Sequence, residues 1–231
     1  MEGKAFRGYN IDIEPNFFLG ASVTCEMLKD AEMDKYMDFR LVNNMVHFDG
    51  KSLKNVPLSK GKIFESKDLG LLEKKLLLNT FHSLMQIYNK YMKIEEDQNS
   101  TKEFDKEFGN VNEALYEEFL QQLDQPFTPF IKKLTKDNKK IMNYITYIIC
   151  NYQHNFMKEI PSHMQLEYTV KGFIKRFGKF VRSCGVYGEL PYLYVDNGIG
   201  DIPQAYSRIA SIYGSTYILH PKITFDKIEI T

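Results

Sequence analysis

The chain lacks any excess of charge. Thirty Lys and Arg stand against 30 Asp and Glu in 231 residues, and the isoelectric point lies near 7.0. Nothing in that balance asks for nucleic acid or a strongly anionic membrane as partner. Cysteine is scarce: Cys25, Cys150 and Cys184 are far apart and odd in number. They fit buried thiols in a reducing compartment better than a disulfide framework. None stands at metal-ligand spacing from His47, His82, His154, His163 or His220. No apolar run reaches the roughly 18 residues of a membrane span, and the N-terminus has no signal-peptide core, so the chain reads as cytosolic. A nucleophile elbow, a P-loop and paired carboxylates on one helical face are all missing, and Gly198 with Gly200 is too short for a dinucleotide fingerprint. No catalytic residue, cofactor or metal is expected.

What is present is an ample core: 43% of residues are apolar and 14% aromatic, enough for one large domain or two small ones. Pro15 stands where a helix could start, and Phe17, Phe18, Ala21, Cys25 and Leu28 make an apolar stripe after it. The period then changes. Strands are predicted near 38–42, 45–48 and 52–56, with Asp49 and Gly50 as the hairpin turn and His47 facing solvent between apolar Val46 and Phe48. A long amphipathic helix runs from Leu71 through Phe81, Leu84, Met85 and Tyr88. The polar stretch 93–106 reads as a surface loop. Its Asn99, Ser100 and Thr101 form a glycosylation triplet that a cytosolic chain would not use.

Asn112 is a candidate helix cap, and Pro126 and Pro129 are expected to break the chain. Thr135 is expected to cap a helix carrying Ile141, Tyr144, Ile145, Ile148 and Ile149. Ser162 and Gln165 read as a capping box before the stripe Leu166, Val170, Phe173, Ile174, Phe177 and Val181. The tail 223–230 alternates like a strand.

The richest stretch is 191–219. Pro191 and residues 192–195 read as an edge or entry strand. Asn197, Gly198 and Gly200 make a loop able to take positive φ. Asp201 suits an N-cap, Pro203 the first turn, and Gln204 completes a capping box. Ile202, Ala205, Ile209, Ile212 and Tyr213 recur at helical spacing, Gly214 fits a left-handed stop, and 216–219 is β-prone. Gln204, Ser207, Arg208 and Ser211 form one polar row, which by itself reads as a solvated face.

This stretch resembles the Rab GDP-dissociation inhibitor and Rab escort protein superfamily. The matches run in register through Pro191, Leu193, Tyr194, Gly198, Gly200, Asp201, Pro203, Gln204, Arg208, Tyr213, Gly214, Tyr217 and Leu219. The FRGYNIDI segment, 6–13, is similar to another family segment. The resemblance implies contacts to GDP-bound Rab GTPases from Asp201, Gln204, Arg208, Thr216, Tyr217 and Ile218. The segment 56–78 resembles the escort branch, in which a Phe and a basic residue dock on Rab geranylgeranyltransferase; here they are Phe64 and Lys75. On its own, Phe64 reads as a core staple at the start of a helix. Lys75 stands where the branch has Arg, and a point charge cannot make the same bidentate contact.

The implied fold is α+β, with a helix-rich lobe over 59–180 on the transferase and prenyl side. A partial mixed-sheet lobe would draw on 1–58, with its opening helix and hairpin, and on the platform segment 181–231. The family's first strand, glycine loop and helix and its C-terminal sheet have no counterpart here, so the sheet is expected to be truncated or rebuilt. The implied role is a non-catalytic accessory that binds GDP-bound Rab, presents it to the transferase and shields the geranylgeranyl lipid, with at most peripheral membrane contact. A Rab GDP-dissociation inhibitor is the neighbouring reading. A flavin- or nicotinamide-dependent enzyme on the shared superfamily fold, and a helical interaction module without Rab binding, are readings of other classes.

Overall fold

The computed structural model describes residues 12, 15–48, 50–95, 112–152 and 162–217. Helices dominate, accompanied by two small sheets. The strands are β1 (Phe18–Leu19), β2 (Phe39–Leu41), β3 (Val46–Phe48), β4 (Leu53–Asn55) and β5 (Tyr192–Val195). The helices are α1 (Val23–Asp30), α2 (Lys60–Glu65), α3 (Leu71–Glu95), α4 (Glu113–Gln121), α5 (Phe127–Leu134), α6 (Lys139–Asn143), α7 (Val170–Ser183) and α8 (Asp201–Ile212). The α+β expectation is met. The chain divides into two compact units: Met1–Phe18, Val23–Arg40 and Leu193–Thr231 form one, and Leu19–Ser22 with Leu41–Tyr192 the other.

The second unit is built on α3 and α7. In α7, Val170, Phe173, Ile174, Phe177 and Phe180 are buried at the three-and-four spacing that puts them on one stripe. Facing positions on α3 bury Leu77, Leu84, Met85, Ile87 and Tyr88. Gly178 lets the two helices approach closely, because a Cβ there would overlap the Tyr88 ring. Phe127, Phe173 and Tyr152 stack in the same core, with Phe127 and Phe173 centroids 4.9 Å apart. Burying each such ring contributes about 1.5–3 kcal/mol.

Helix ends differ from several expectations. Asn112 does cap α4, its side chain accepting from Leu115 N–H. Pro129, expected to break the chain, sits in the first turn of α5, where a missing N–H costs nothing. Thr135 does not open the next helix: its hydroxyl donates to the Ile131 carbonyl at the end of α5, and Asn138 caps α6 through Lys140 and Ile141 N–H. Residues Tyr144–Ile149 continue α6 as a π-helix, burying Tyr144, Ile145 and Ile149. The helix expected after Ser162 is a 3-10 segment, Ser162–Tyr168. The α-helix starts only at Val170, capped by Thr169, and Leu166 stays exposed.

In the first unit α1 starts at Val23 and not at Pro15, because Phe18 enters β1; Cys25 and Leu28 are buried as the stripe required. Leu28, Met33, Met37, Val195 and Ala205 form its core. The three-stranded sheet has the order β1-β5-β2, so of the two readings of this strand the edge one is corrected: β5 is central. Pro191 is tolerated because it precedes β5 and its carbonyl accepts from Gly20 N–H.

The β3–β4 hairpin is antiparallel in the predicted place, pairing Val46 with Asn55, His47 with Lys54 and Phe48 with Leu53. Its faces are the reverse of the expected ones. Val46, Phe48 and Leu53 are exposed, while His47 is partly buried. The 6–13 segment apart from Asp12, residues 96–111, Ile218 and the 223–230 tail lie outside the described residues.

Candidate functional site

In the first unit β5 ends at Val195 and the chain turns tightly. Gly198 N–H donates to the Val195 carbonyl, and Gly198 takes φ 98°. The Asp12 carboxylate accepts the next N–H, that of Ile199, with both oxygens at 3.0–3.1 Å. A Cβ on Gly198 would collide with that carboxylate.

Helix α8 follows. Asp201 is its first residue and not its N-cap; Gly200 holds the cap position, and no side chain caps the helix. The acidic side chain in the first turn still suits the helix dipole. Ala205 is buried, with Ile202 and Ile209 packed on the same core. The periodic stripe stops there: Ile212 and Tyr213 are 66% and 85% exposed. Gly214, φ 87°, ends the helix, with Ser215 N–H donating to the Ala210 carbonyl and Gly214 N–H to that of Ser211.

The opposite face carries Gln204, Arg208 and Ser211, all exposed. The Ser207 and Ser211 hydroxyls donate to the Pro203 and Ser207 carbonyls, which leaves Gln204 and Arg208 as the outward polar groups. Arg208 makes no ion pair or hydrogen bond among the described residues. Thr216 and Tyr217, two and three residues beyond Gly214, are also exposed and have no regular structure. Asp201, Gln204, Arg208, Thr216 and Tyr217 therefore lie in one unit along α8 and its exit, and Ile218 is outside the described residues. The surface offers directed donors and aromatic faces, chemistry suited to a protein partner.

In the second unit, Phe64 lies on α2 and is 57% exposed, while its neighbour Ile63 is buried. The core-staple reading of Phe64 is thereby corrected: Ile63 fills that role, and Phe64 points outward. Ser59 caps α2, accepting from Lys62 N–H, and Lys74 Nζ donates to the Phe64 carbonyl at 2.6 Å. Lys75 is exposed on the first turns of α3. Leu71 and Leu72, at the start of the amphipathic helix α3, are each 82% exposed. Sequence reasoning missed this apolar pair, whose only signal was its place ahead of the first buried α3 residue, Leu77.

Among the described residues no group of three or more His, Cys, Asp and Glu could hold a metal ion. Burial raises the Cys150 thiol far above its ordinary range and pushes Cys184 up to about 11, so both stay protonated at neutral pH. No helix among the described residues is long and apolar enough to cross a membrane.

The profile of the GDP dissociation inhibitor family matches residues 2–229, almost the whole chain. The chain belongs to that family. Among curated members it is 28% identical over 223 residues to Rab proteins geranylgeranyltransferase component A 1 of Caenorhabditis elegans, covering 94% of this chain and 37% of that protein. It is 24% identical over 217 residues to Rab GDP dissociation inhibitor beta of Rattus norvegicus, covering 94% and 42%. The crystal structure of Rab GDI from Plasmodium falciparum superposes with a TM-score of 0.55 at 18% identity, over 88% of this chain and 41% of that one. That likeness is one of fold. The chain thus spans about two-fifths of the length of these family members.

Proposed function

We propose that this chain is a non-catalytic accessory protein of the escort type. It binds GDP-bound Rab GTPases through Asp201, Gln204, Arg208, Thr216, Tyr217 and Ile218. It presents them to Rab geranylgeranyltransferase through Phe64 and Lys75, and so serves prenylation and vesicle traffic in the cytoplasm. The observation that carries the Rab reading is the α8 face: Gln204 and Arg208 project from a helix whose other side is pinned by Ala205, so the donors are presented on a rigid element. The escort branch is favoured by Phe64, an aromatic side chain left outward when the adjacent Ile63 fills the core.

The 59–180 segment would form the transferase and lipid side. Shielding a geranylgeranyl chain there would recover about 0.8 kcal/mol for each buried CH₂, which an accessory that handles prenylated protein needs. The second reading is a Rab GDP-dissociation inhibitor, favoured by the 24% identity to the rat protein of that name. It shares the Rab face and dispenses with the transferase contact.

The test is binding of GDP-loaded, unprenylated Rab to the full chain, with and without the transferase, beside Arg208→Ala. Binding that is lost in the variant and tightened by the transferase supports the escort reading. Binding of prenylated Rab that the transferase leaves unchanged supports the inhibitor reading. A folded chain that binds Rab in neither form overturns both.

A further inference from the structure

The inversion of the β3–β4 hairpin has a counterpart beneath it. Leaving Val46, Phe48 and Leu53 in solvent forgoes about 1.5–3 kcal/mol for each side chain that could have been buried. A local conflict of that kind usually has a functional offset. The inward cross-strand pair, His47 and Lys54, roofs a pocket of about 470 Å³, within the range of small-molecule sites. Leu69, Tyr147 and Ile148 give it apolar walls, and Phe48 reaches its rim.

Two ammonium groups converge on one residue of the lining. Lys54 Nζ lies 3.2 Å from the Asp68 carboxylate, and Lys140 Nζ donates to the Asp68 carbonyl. Lys140 also meets the carboxylate of Glu73, which is not a lining residue, at 3.1 Å. The lining itself therefore holds two cations and one carboxylate, in a chain whose overall charge is zero. His47 Nδ1 is buried there without a hydrogen-bond partner among the described residues.

We propose that this pocket binds a compact amphiphilic anion, an aromatic or short aliphatic body bearing one acidic head. The body lies against Leu69, Tyr147 and Ile148. The head competes with the Asp68 carboxylate for the ammonium group of Lys54, and with the Asp68 carbonyl and the Glu73 carboxylate for that of Lys140. None of the residues assigned to Rab or to the transferase takes part, so this site stands or falls separately from that assignment.

The test is fluorescence titration of the full chain with anilinonaphthalene sulfonate, with decanoate as competitor. Saturable one-site binding, displaced by decanoate, is expected. Lys54→Met and Lys140→Met should each weaken it by about tenfold, the scale of one charge-assisted hydrogen bond. Asp68→Asn should tighten it, because the internal competitor is gone. A purely structural Lys54–Asp68 pair would instead move Lys54→Met and Asp68→Asn in the same direction. Lys139→Met, exposed and outside the lining, should change nothing. Lys140→Gln replaces Lys140→Met if circular dichroism shows the latter unfolded. Affinity that ignores the Lys54, Lys140 and Asp68 changes, or a folded chain with no saturable binding, overturns the proposal.

Discussion

The Asp12 carboxylate accepts the backbone N–H of Ile199 with both of its oxygens, 187 residues apart in sequence. It thereby ties down the glycine loop that launches α8. A hydrogen bond to a charged acceptor contributes about 1.5–3 kcal/mol. Asp12→Ala should lower stability by about that amount in chemical denaturation, and Asp12→Asn, which keeps an acceptor, should recover part of it. An alanine variant as stable as the parent would sink this account of the loop.

Gly178 and Tyr88 meet where α7 packs on α3. Gly178→Ala places a methyl group inside the ring and forces α7 away from α3, at about 1–3 kcal/mol for overpacking. Combining it with Tyr88→Leu should relieve the clash, so that the double variant loses less than the sum of the singles. Strict additivity would show that the two positions do not meet.

Glu73 accepts the Gly70 N–H and then the Lys140 ammonium, and these hold its carboxyl below the ordinary 4.5. A depressed folded-state value stabilises the protein above the unfolded pKa, and the contribution is lost as pH falls through the folded value. Glu73→Gln should therefore lower stability at neutral pH and flatten its decline from about pH 5 downwards. Parallel acid limbs in variant and parent would refute the linkage.

Phe64 is more than half exposed, so Phe64→Ala should leave stability within about 0.5 kcal/mol of the parent. On the escort reading it should nevertheless weaken capture by Rab geranylgeranyltransferase, measured by surface plasmon resonance. A large loss of thermal stability would mean that the ring is part of the core.

Local chemistry was legible wherever one residue type answers one backbone need. Gly198 and Gly214 take the positive φ that their loop and helix stop required, and Asn112 caps α4. Val170, Phe173, Ile174 and Phe177 were legible for the same reason, since large apolar side chains at helical spacing have only one way to leave water, but the buried stripe continues to Phe180 where the spacing had offered Val181. Where two neighbouring candidates competed, sequence could not choose. Thr169 displaced Ser162 as a cap and Asn138 displaced Thr135, because a cap is decided by where the chain enters its packing partner.

The amino-acid sequence by itself determined the α+β class, the place of the β3–β4 hairpin and the family, because these rest on periodicity, turn residues and matched motifs along the chain. Only the tertiary structure decided which face of each element is buried. An alternating hairpin can lie either way up, and this one turned His47 and Lys54 inward, where both line one pocket and Lys54 meets the Asp68 carboxylate. The same holds for Phe64, Leu71 and Leu72: three apolar residues beside a core belong to it or to a surface according to what packs against them, and Ile63 and Leu77 had already filled the interior.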